Sequence, residues 1–437
     1  MATTTRAVLR ERISDAVGDW YGTLTCDSGS TTTIVDTELI DIPQGGDDDG
    51  FLNWWVICTS GNNIGEIRRV SAYVSSTNTI TVSRAFTNAM ATQTYEVHRH
   101  NPTDYHAAMN RAIDDLFPFL YLPVRDQTII VDNHLANPLF DTFDSGFTSW
   151  TEVGSPTVTQ ETTIAIQNAS SAKVVASGAD GQLTQAPTIN TPGLEGKTAT
   201  FKCWVYTTAA SAARIRIDWN GSTIIDSTDH TGADEWQLLS VSGTVPSGAT
   251  QVKAICEVTD GNTAYFDFCS LVIDPVYEYT LPSNLLLGPY QVYQQDNESD
   301  PNGTFSPLLG LAMSGRMLRL IGKGLYTTQT SETTTIEDSA PRIELLVAQA
   351  AFFLNRQLSQ RTASQQRQRY LDDMQLWADS VERMKRAPGI RSPFIGAQYE
   401  SGLLVTPWHV ESTSTGRVLI LDQRRGSTEG LGFSTLI

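Results

Sequence analysis

Between residues 137 and 275 the chain passes through about eight runs of alternating apolar and polar residues, among them 198–205, 213–219, 236–241 and 250–258, with no helical stretch between them. Alternation with a period of two sends one face of each strand into a core and leaves the other facing out. Frequent Gly, Ser and Thr between the runs supply the turns. Strands this short cannot bury their apolar faces alone, so the segment predicts an antiparallel β-sandwich of jelly-roll type. Segments of helical or mixed pattern flank it on both sides, which predicts that it is inserted between two parts of another core.

The flanks have a different period. Val8, Leu9, Ile13 and Val17, with Gly18 behind them, predict a helix over 6–17. Asn101-Pro102-Thr103-Asp104 opens a second over 103–117, with Tyr105, Met109, Ala112, Ile113 and Leu116 on one side and Pro118 to end it. Beyond Pro341, the residues Ile343, Leu346, Val347, Ala350, Leu354 and Leu358 fall at three- and four-residue spacing, and another stripe runs through Leu371, Met374, Trp377, Ala378, Val381 and Met384. These predict a helical hairpin over 341–359 and 363–386, with Thr362 to Gln365 as a capping box at the second start. Short β-rich runs from 21 to 98 predict a small β-barrel or sandwich, and the short apolar runs at 403–405 and 418–421 predict a strand-like arm. The chain therefore reads as an α+β multidomain protein. A helical-bundle core comes from 1–20, 99–136 and 276–391, a small β module from 21–98, the inserted sandwich from 137–275 and an extended C-terminal arm from 392–437.

The formal charge of −18 is unevenly spread. Residues 141–274 hold 15 acidic and 6 basic side chains, whereas 341–391 hold 5 acidic and 9 basic. A basic hairpin on an acidic protein predicts an electrostatic interface, and the overall acidity argues against tight binding to a phosphate backbone. The cysteines Cys26, Cys58, Cys203, Cys256 and Cys269 are odd in number and lack C-x-x-C spacing, so they are expected as small buried residues rather than a disulfide framework or zinc ribbon. With no apolar run of about 18 residues and no signal-peptide pattern at the start, the expectation is a protein made in a cytoplasm and not inserted in a membrane.

Chemistry is sparse in the pattern. Glu96, His98 and His100 alternate, so in a strand they share one face and could hold zinc with His106 nearby; the competing reading is a polar strand end. The sequence has no G-x-S-x-G elbow, Walker loop or H-E-x-x-H. The expectation is a non-enzymatic protein without catalytic residues, cofactor or metal.

Two resemblances add to this. Thr59-Ser60-Gly61 with Gly65-Glu66-Ile67-Arg68-Arg69-Val70, the Glu278-Tyr279-Thr280-Leu281-Pro282 phrase, and the Pro341-Arg342-Ile343-Glu344 helix start leading into the Ala-rich 348–354 resemble head-to-tail connector (adaptor, or neck) proteins of tailed bacteriophages over 1–136 and 276–391. That resemblance implies a helical-bundle connector core in a homo-oligomeric ring, commonly a dodecamer, in the virion neck. Its partners would be the portal protein and the next neck or tail protein, with genome DNA passing through an acidic lumen without tight binding. It implies a portal-facing hairpin and arm carrying Arg356, Arg361, Arg367, Arg369, Trp408, Leu419 and Leu421. A tail-tip or baseplate position is the alternative within the virion.

The middle segment, with Phe143-Asp144-Ser145-Gly146-Phe147-Thr148-Ser149-Trp150, Phe201-Lys202-Cys203-Trp204-Val205-Tyr206 and Ala264-Tyr265-Phe266-Asp267-Phe268, is similar to carbohydrate-binding modules. This implies surface glycans as partners, with Trp219, Asp218 and Asn220 as the candidate contact. The competing reading makes Trp150, Trp204 and Trp236 core and leaves Trp219 capping an edge. Calcium held by Asp144 or Asp267 is a further implication, and the expectation there is no metal. A cell-surface glycan-binding protein and a glycan-cleaving enzyme are the readings from other classes. The second needs a cleft with paired acids that the sequence does not reveal.

Overall fold

The computed structural model describes residues 2–19, 23–166, 170–189, 191–221, 223–300, 303–362, 364–387, 390, 408–413 and 416–421. It divides into two compact units, one from residues 1–122 with 323–400 and the other from 123–322 with 401–437. The second unit takes in the expected 137–275 sandwich together with strands on either side of it. Strands dominate the described residues, with four α-helices among them. The expected helical-bundle core is therefore cut back to four helices in a mostly β protein. No helix of the described residues is long and apolar enough to cross a membrane.

In the first unit, α1 (Arg6–Ala16), α2 (Pro102–Leu116), α3 (Ala340–Arg361) and α4 (Ser364–Lys385) share one apolar cluster. Leu9 and Ile13 from α1, Tyr105, Met109 and Ile113 from α2, and Ile343, Leu346, Ala350 and Leu354 from α3 are all buried in it. The spacing that predicted the stripes of α2 and α3 is thus the face each buries, whereas Val8 of the α1 stripe is 41% exposed. Asn101 caps α2, its side chain accepting from Thr103 N at 3.0 Å, with Pro102 in the first turn where a missing N–H costs nothing. Gly18, at φ +73°, ends α1 in the left-handed conformation that glycine adopts without a Cβ penalty. Of the capping box expected at 362–365, residue 363 and the side chain of Gln365 lie outside the described residues. Thr362 Oγ1 donates to Leu358 O at 2.8 Å, so it serves the C-terminal end of α3.

The small β module forms a seven-stranded sheet in the order Thr23–Thr25, Thr94–His98, Trp55–Cys58, Ile67–Val74, Thr79–Val82, Thr33–Val35, Ser28–Gly29. Its two edge strands are consecutive in sequence, so the sheet curls back on itself as a small barrel around Ile34, Phe51, Val56, Tyr73, Ile80 and Tyr95.

The second unit is built on two five-stranded antiparallel sheets. The front sheet has the order Thr157–Glu161, Ser171–Val175, Thr263–Val272, Thr198–Thr207, Glu235–Thr244, and the back sheet Thr151–Val153, Gly181–Gln185, Lys253–Val258, Ala213–Asp218, Ile224–Asp226. Phe201, Val205, Phe266 and Leu271 from the front meet Leu183, Ile215, Ile217 and Cys256 from the back in one core. This is the jelly-roll sandwich that the alternation predicts. A four-stranded sheet, Phe305–Pro307, Leu287–Gln295, Leu318–Gly324 and Leu122–Asp126, joins it in the same unit.

The hairpin Trp408–Thr413 and Gly416–Leu421 pairs through Gly416–Leu421 with Glu278–Thr280. Leu419 and Leu421 are buried at 0% and 2% exposure against Val131, Leu281, Leu285 and Leu320. Arg417 Nη1 fixes the hairpin by donating to Leu285 O at 2.7 Å. This corrects the reading of Leu419 and Leu421 as portal contacts, since both side chains are spent inside their own chain. The 403–405 run and the rest of the expected 392–437 arm lie outside the described residues.

Candidate functional site

Alternation along Thr198–Thr207 sends Ala199, Phe201, Cys203 and Val205 into the sandwich and leaves Lys202, Trp204 and Tyr206 on the outer face of the front sheet. The strand register then draws a line across all five strands of that face. Thr159 pairs with Lys173, Lys173 with Tyr265, Tyr265 with Tyr206, and Tyr206 with Trp236. Three aromatic rings stand side by side in this row, with centroids 5.6 Å apart for Tyr206 and Tyr265 and 5.7 Å for Tyr206 and Trp236. Lys173 Nζ lies 5.8 Å from the Tyr265 ring. All three rings are half-buried, so each keeps part of its surface open to solvent.

The row has polar partners at its edge. Tyr206 donates its phenolic hydrogen to Asp234 Oδ1, an exposed carboxylate at the start of the Glu235–Thr244 strand. That hydrogen bond is the main reason the Tyr206 pKa is raised. The next positions along the sheet are covered. Trp204 and Phe268 pack with Ile130, Leu139 and Met317, and half-buried Ile166, Trp236, Leu238 and Phe305 lie against them, so one side of the Trp236 ring meets this covered wall. Trp204 is 8% exposed, and its Nε1–H is buried without a hydrogen-bond partner. An orphaned buried donor of this kind costs roughly 1–3 kcal/mol. The front face is therefore half wall and half open aromatic platform.

The sequence pointed elsewhere in the same sandwich. Trp219 is 2% exposed and packs in the core between the sheets, so it has no ring face to offer a sugar. Asp218 is buried as well and is occupied by the Asn220 and Gly221 backbone N–H groups and by Gln251 Nε2. Asn220 is exposed, and its side chain accepts from Thr223 N in the turn. That candidate contact is corrected to a structural turn. Trp150 and Trp204 are core as the competing reading has it, whereas Trp236 is half-buried, packed on the Trp204 cluster on one side and beside Tyr206 on the other. The missed signal was the pairing of Trp204 and Tyr206 at alternate positions. They share a face opposite to Phe201 and Val205.

The Glu96, His98 and His100 strand leads to a different arrangement from a metal site. Glu96 and His98 do share one face, but that face meets α1. Arg10, with no exposed surface, donates to Glu96 through Nε at 2.8 Å and Nη2 at 2.9 Å, and through Nη1 pairs with Glu332 at 2.5 Å. His98 Nε2 donates to Glu96 at 2.8 Å, and its Nδ1 lies 3.0 Å from Ser14 Oγ. His106 Nε2 sits 3.0 Å from Arg10 Nη1 and so accepts from it in the neutral form. Burial alone would push Glu96 up, but bonds from His98 and Arg10 outweigh it and hold its pKa down at about 2. Burial, then the charges of Arg10 and Arg6, push His106 down to about 3. His100 stands apart, beside Tyr370. Asp267 is buried and accepts from the Ile166 and Phe268 backbone, while Asp144 is exposed. Among the described residues, the one group of three or more side chains close enough to share a metal is Cys203, Cys256 and Cys269.

Several basic residues of the hairpin lie on exposed surface, whereas Arg342 and Lys385 are half-buried. Arg356 and Arg367 are exposed, Arg361 pairs with Asp104 at 2.8 Å, and Arg369 is 3.9 Å from Asp373. Trp408 is half-buried against the second unit's core.

No protein-family model matches the chain, and no curated protein matches it. Among solved structures, the enzymatically active domain of tailspike protein 4 from bacteriophage CBA120 is similar over 33% of this chain at 16% identity, with a TM-score of 0.27. The match spans 22% of that tailspike chain. The C-terminal family 22 carbohydrate-binding module of Clostridium thermocellum Xyn10B is similar over 32% of this chain and 94% of its own, at 20% identity and a TM-score of 0.25. The CBM22-1 xylan-binding domain of Paenibacillus barcinonensis Xyn10C is similar over 34% and 97%, at 14% identity and a TM-score of 0.28.

Proposed function

We propose that the sandwich binds glycan on the outer face of its front sheet, through the row Trp236, Tyr206 and Tyr265 flanked by Lys173 and Asp234. The observation that carries this reading is the unbroken register of five outward side chains, three of them aromatic with open ring surface. Aromatic rings provide rigid apolar surface for the C–H faces of pyranose rings, with polar tips for their hydroxyls. Lys173 and Asp234 add a donor and an acceptor at the margin. The reading is of binding without cleavage.

Titration of the full chain with xylohexaose, galactotriose and oligogalacturonate, followed by tryptophan fluorescence and calorimetry, tests this. At least one of them binds, and Trp236→Ala or Tyr206→Ala weakens it tenfold or more, about 1.4 kcal/mol. Asn220→Ala, at the turn the sequence favoured, leaves affinity unchanged. Absence of binding to all three, or affinity that survives Trp236→Ala, would sink the reading.

A second reading concerns the other unit. The exposed Arg356, Arg367 and Arg369 on α3 and α4 favour an assembly surface, in keeping with the sequence resemblance to phage neck proteins. In that reading the chain is a structural virion protein, joined to a portal through the helical hairpin, with the sandwich as a peripheral glycan-binding domain.

A further inference from the structure

Three of the five cysteines meet in the centre of the sandwich. Cys203 comes from Thr198–Thr207 and Cys269 from Thr263–Val272, both in the front sheet, and Cys256 from Lys253–Val258 in the back sheet. Each is fully buried, and their sulfurs all lie within 4.8 Å of one another. The Cys203 and Cys269 sulfurs are 2.7 Å apart, well inside the non-bonded contact of two sulfurs, whereas Cys256 and Cys269 are 3.9 Å apart.

The strand register explains the close pair. Lys202 pairs with Ser270, so one step further Cys203 stands opposite Cys269, just before the ladder slips and Trp204 pairs with Asp267. The extra residue lies on the Thr263–Val272 strand, where Phe268 takes φ +50°. Directly opposed residues of antiparallel strands have Cα atoms about 4.5–5.5 Å apart, within the range a disulfide spans.

We propose that Cys203 and Cys269 form a disulfide that crosslinks two central strands of the front sheet, with Cys256 as a third thiol within exchange reach. The two thiols give up two protons and two electrons as the sulfur–sulfur bond forms. A small-molecule disulfide takes the electrons, its own sulfur–sulfur bond breaking to release two thiols. Burial pushes the Cys203 and Cys269 thiols far above their ordinary range, so neither ionises in the closed core. All three sulfurs are fully buried, so a small-molecule disulfide reaches them only before the sandwich closes, and the closed core then shields the bond from reductant.

A metal fits the same sulfurs poorly. With metal–sulfur bonds of about 2.3 Å, the Cys203 and Cys269 sulfurs would subtend only about 70° at the ion, far from a tetrahedral angle. Three thiolates around a divalent ion would also leave net negative charge in a core lined by Phe201, Phe266, Ile215 and Leu271.

The full chain is folded in the presence of oxidised glutathione, unfolded in guanidinium with N-ethylmaleimide and no reductant, and weighed intact before peptide mapping. Three adducts are expected, on Cys26, Cys58 and Cys256, with one linked Cys203–Cys269 peptide pair, and five adducts after reduction. Cys256→Ser keeps the linked pair and shows two adducts. Five adducts without reductant, a linked pair containing Cys256 in the unaltered chain, or zinc or copper bound one per chain by elemental analysis overturns the proposal.

Discussion

Arg10 is an arginine with no exposed surface, and what makes that tolerable is a complete set of partners. Glu96 takes two of its donors, Glu332 another, and neutral His106 accepts beside it. Removing one member of a buried ion pair strands its partner, which is why such networks resist change. The network also makes the first unit sensitive to acid. His106 is neutral in the fold with its pKa near 3, against an ordinary value of 6.5. Below pH 6.5 the unfolded chain therefore takes up a proton that the folded chain refuses, and stability falls as pH drops from 6.5 towards 3. The slope for one such group is at most about 1.4 kcal/mol per pH unit. Glu96 acts in the same direction lower down, its contribution present above pH 4.5 and lost towards pH 2. His100, lowered by burial, adds to the upper part of the fall. Melting temperatures between pH 7 and 5 should fall less steeply in His106→Gln than in the unaltered chain; identical slopes would show that His106 carries none of the effect.

At the scale of elements, the C-terminal hairpin departs furthest from its sequence pattern. Residues 418–421 are apolar and isolated, which reads as an arm, yet Leu419 and Leu421 complete the core formed by Val131, Leu281, Leu285 and Leu320. Leu419→Ala should cost about 2–5 kcal/mol in the second unit's urea unfolding, as a cavity in a closed core does. A cost below about 1 kcal/mol would mean that the hairpin is only laid against the surface. Nothing local could have revealed this docking, because Glu278–Thr280 pairs with a strand more than a hundred residues away. The helices were legible for the opposite reason. Stripes such as Ile343, Leu346, Ala350 and Leu354 are set by neighbours within one element. The sandwich lies between these cases. Alternation gave its strands and its two faces, but not which aromatic belonged to which face. Trp204 and Tyr206 sit beside Phe201 and Val205 in one bulky run, and Phe268 shifts the parity of its strand by one residue. The platform became visible only when register set Tyr265, Tyr206 and Trp236 in line.

Over the whole molecule, charge is sorted by segment. Residues 141–274 carry 15 acidic and 6 basic side chains, and 341–391 carry 5 and 9. In the assembly reading proposed above, a chain whose acidic and basic excesses fall in different segments suits head-to-tail contacts between copies, which close into a ring when the rotation permits. It is suited equally to docking its basic hairpin on an acidic partner. Arg361 is already paired with Asp104, whereas Arg356 and Arg367 are exposed on the hairpin and Arg369 has only a loose partner in Asp373. Contacts between exposed charges weaken with salt, since screening shortens to a few ångströms at high ionic strength. If the neck reading proposed above holds, the outcome is a ring, by native mass spectrometry, when the full chain is mixed with a phage portal protein at about 0.05 M salt, and its loss at about 0.5 M. Arg367→Glu combined with Arg369→Glu should abolish the ring at either salt while leaving glycan binding by the front sheet unchanged. A chain that stays monomeric with portal at both salt concentrations rules out the neck reading and leaves the proposed aromatic platform as the surface to test. A ring that survives both the salt and the charge reversal places the contact on apolar surface instead. Exposed Leu376 on α4 would then be the next position to change.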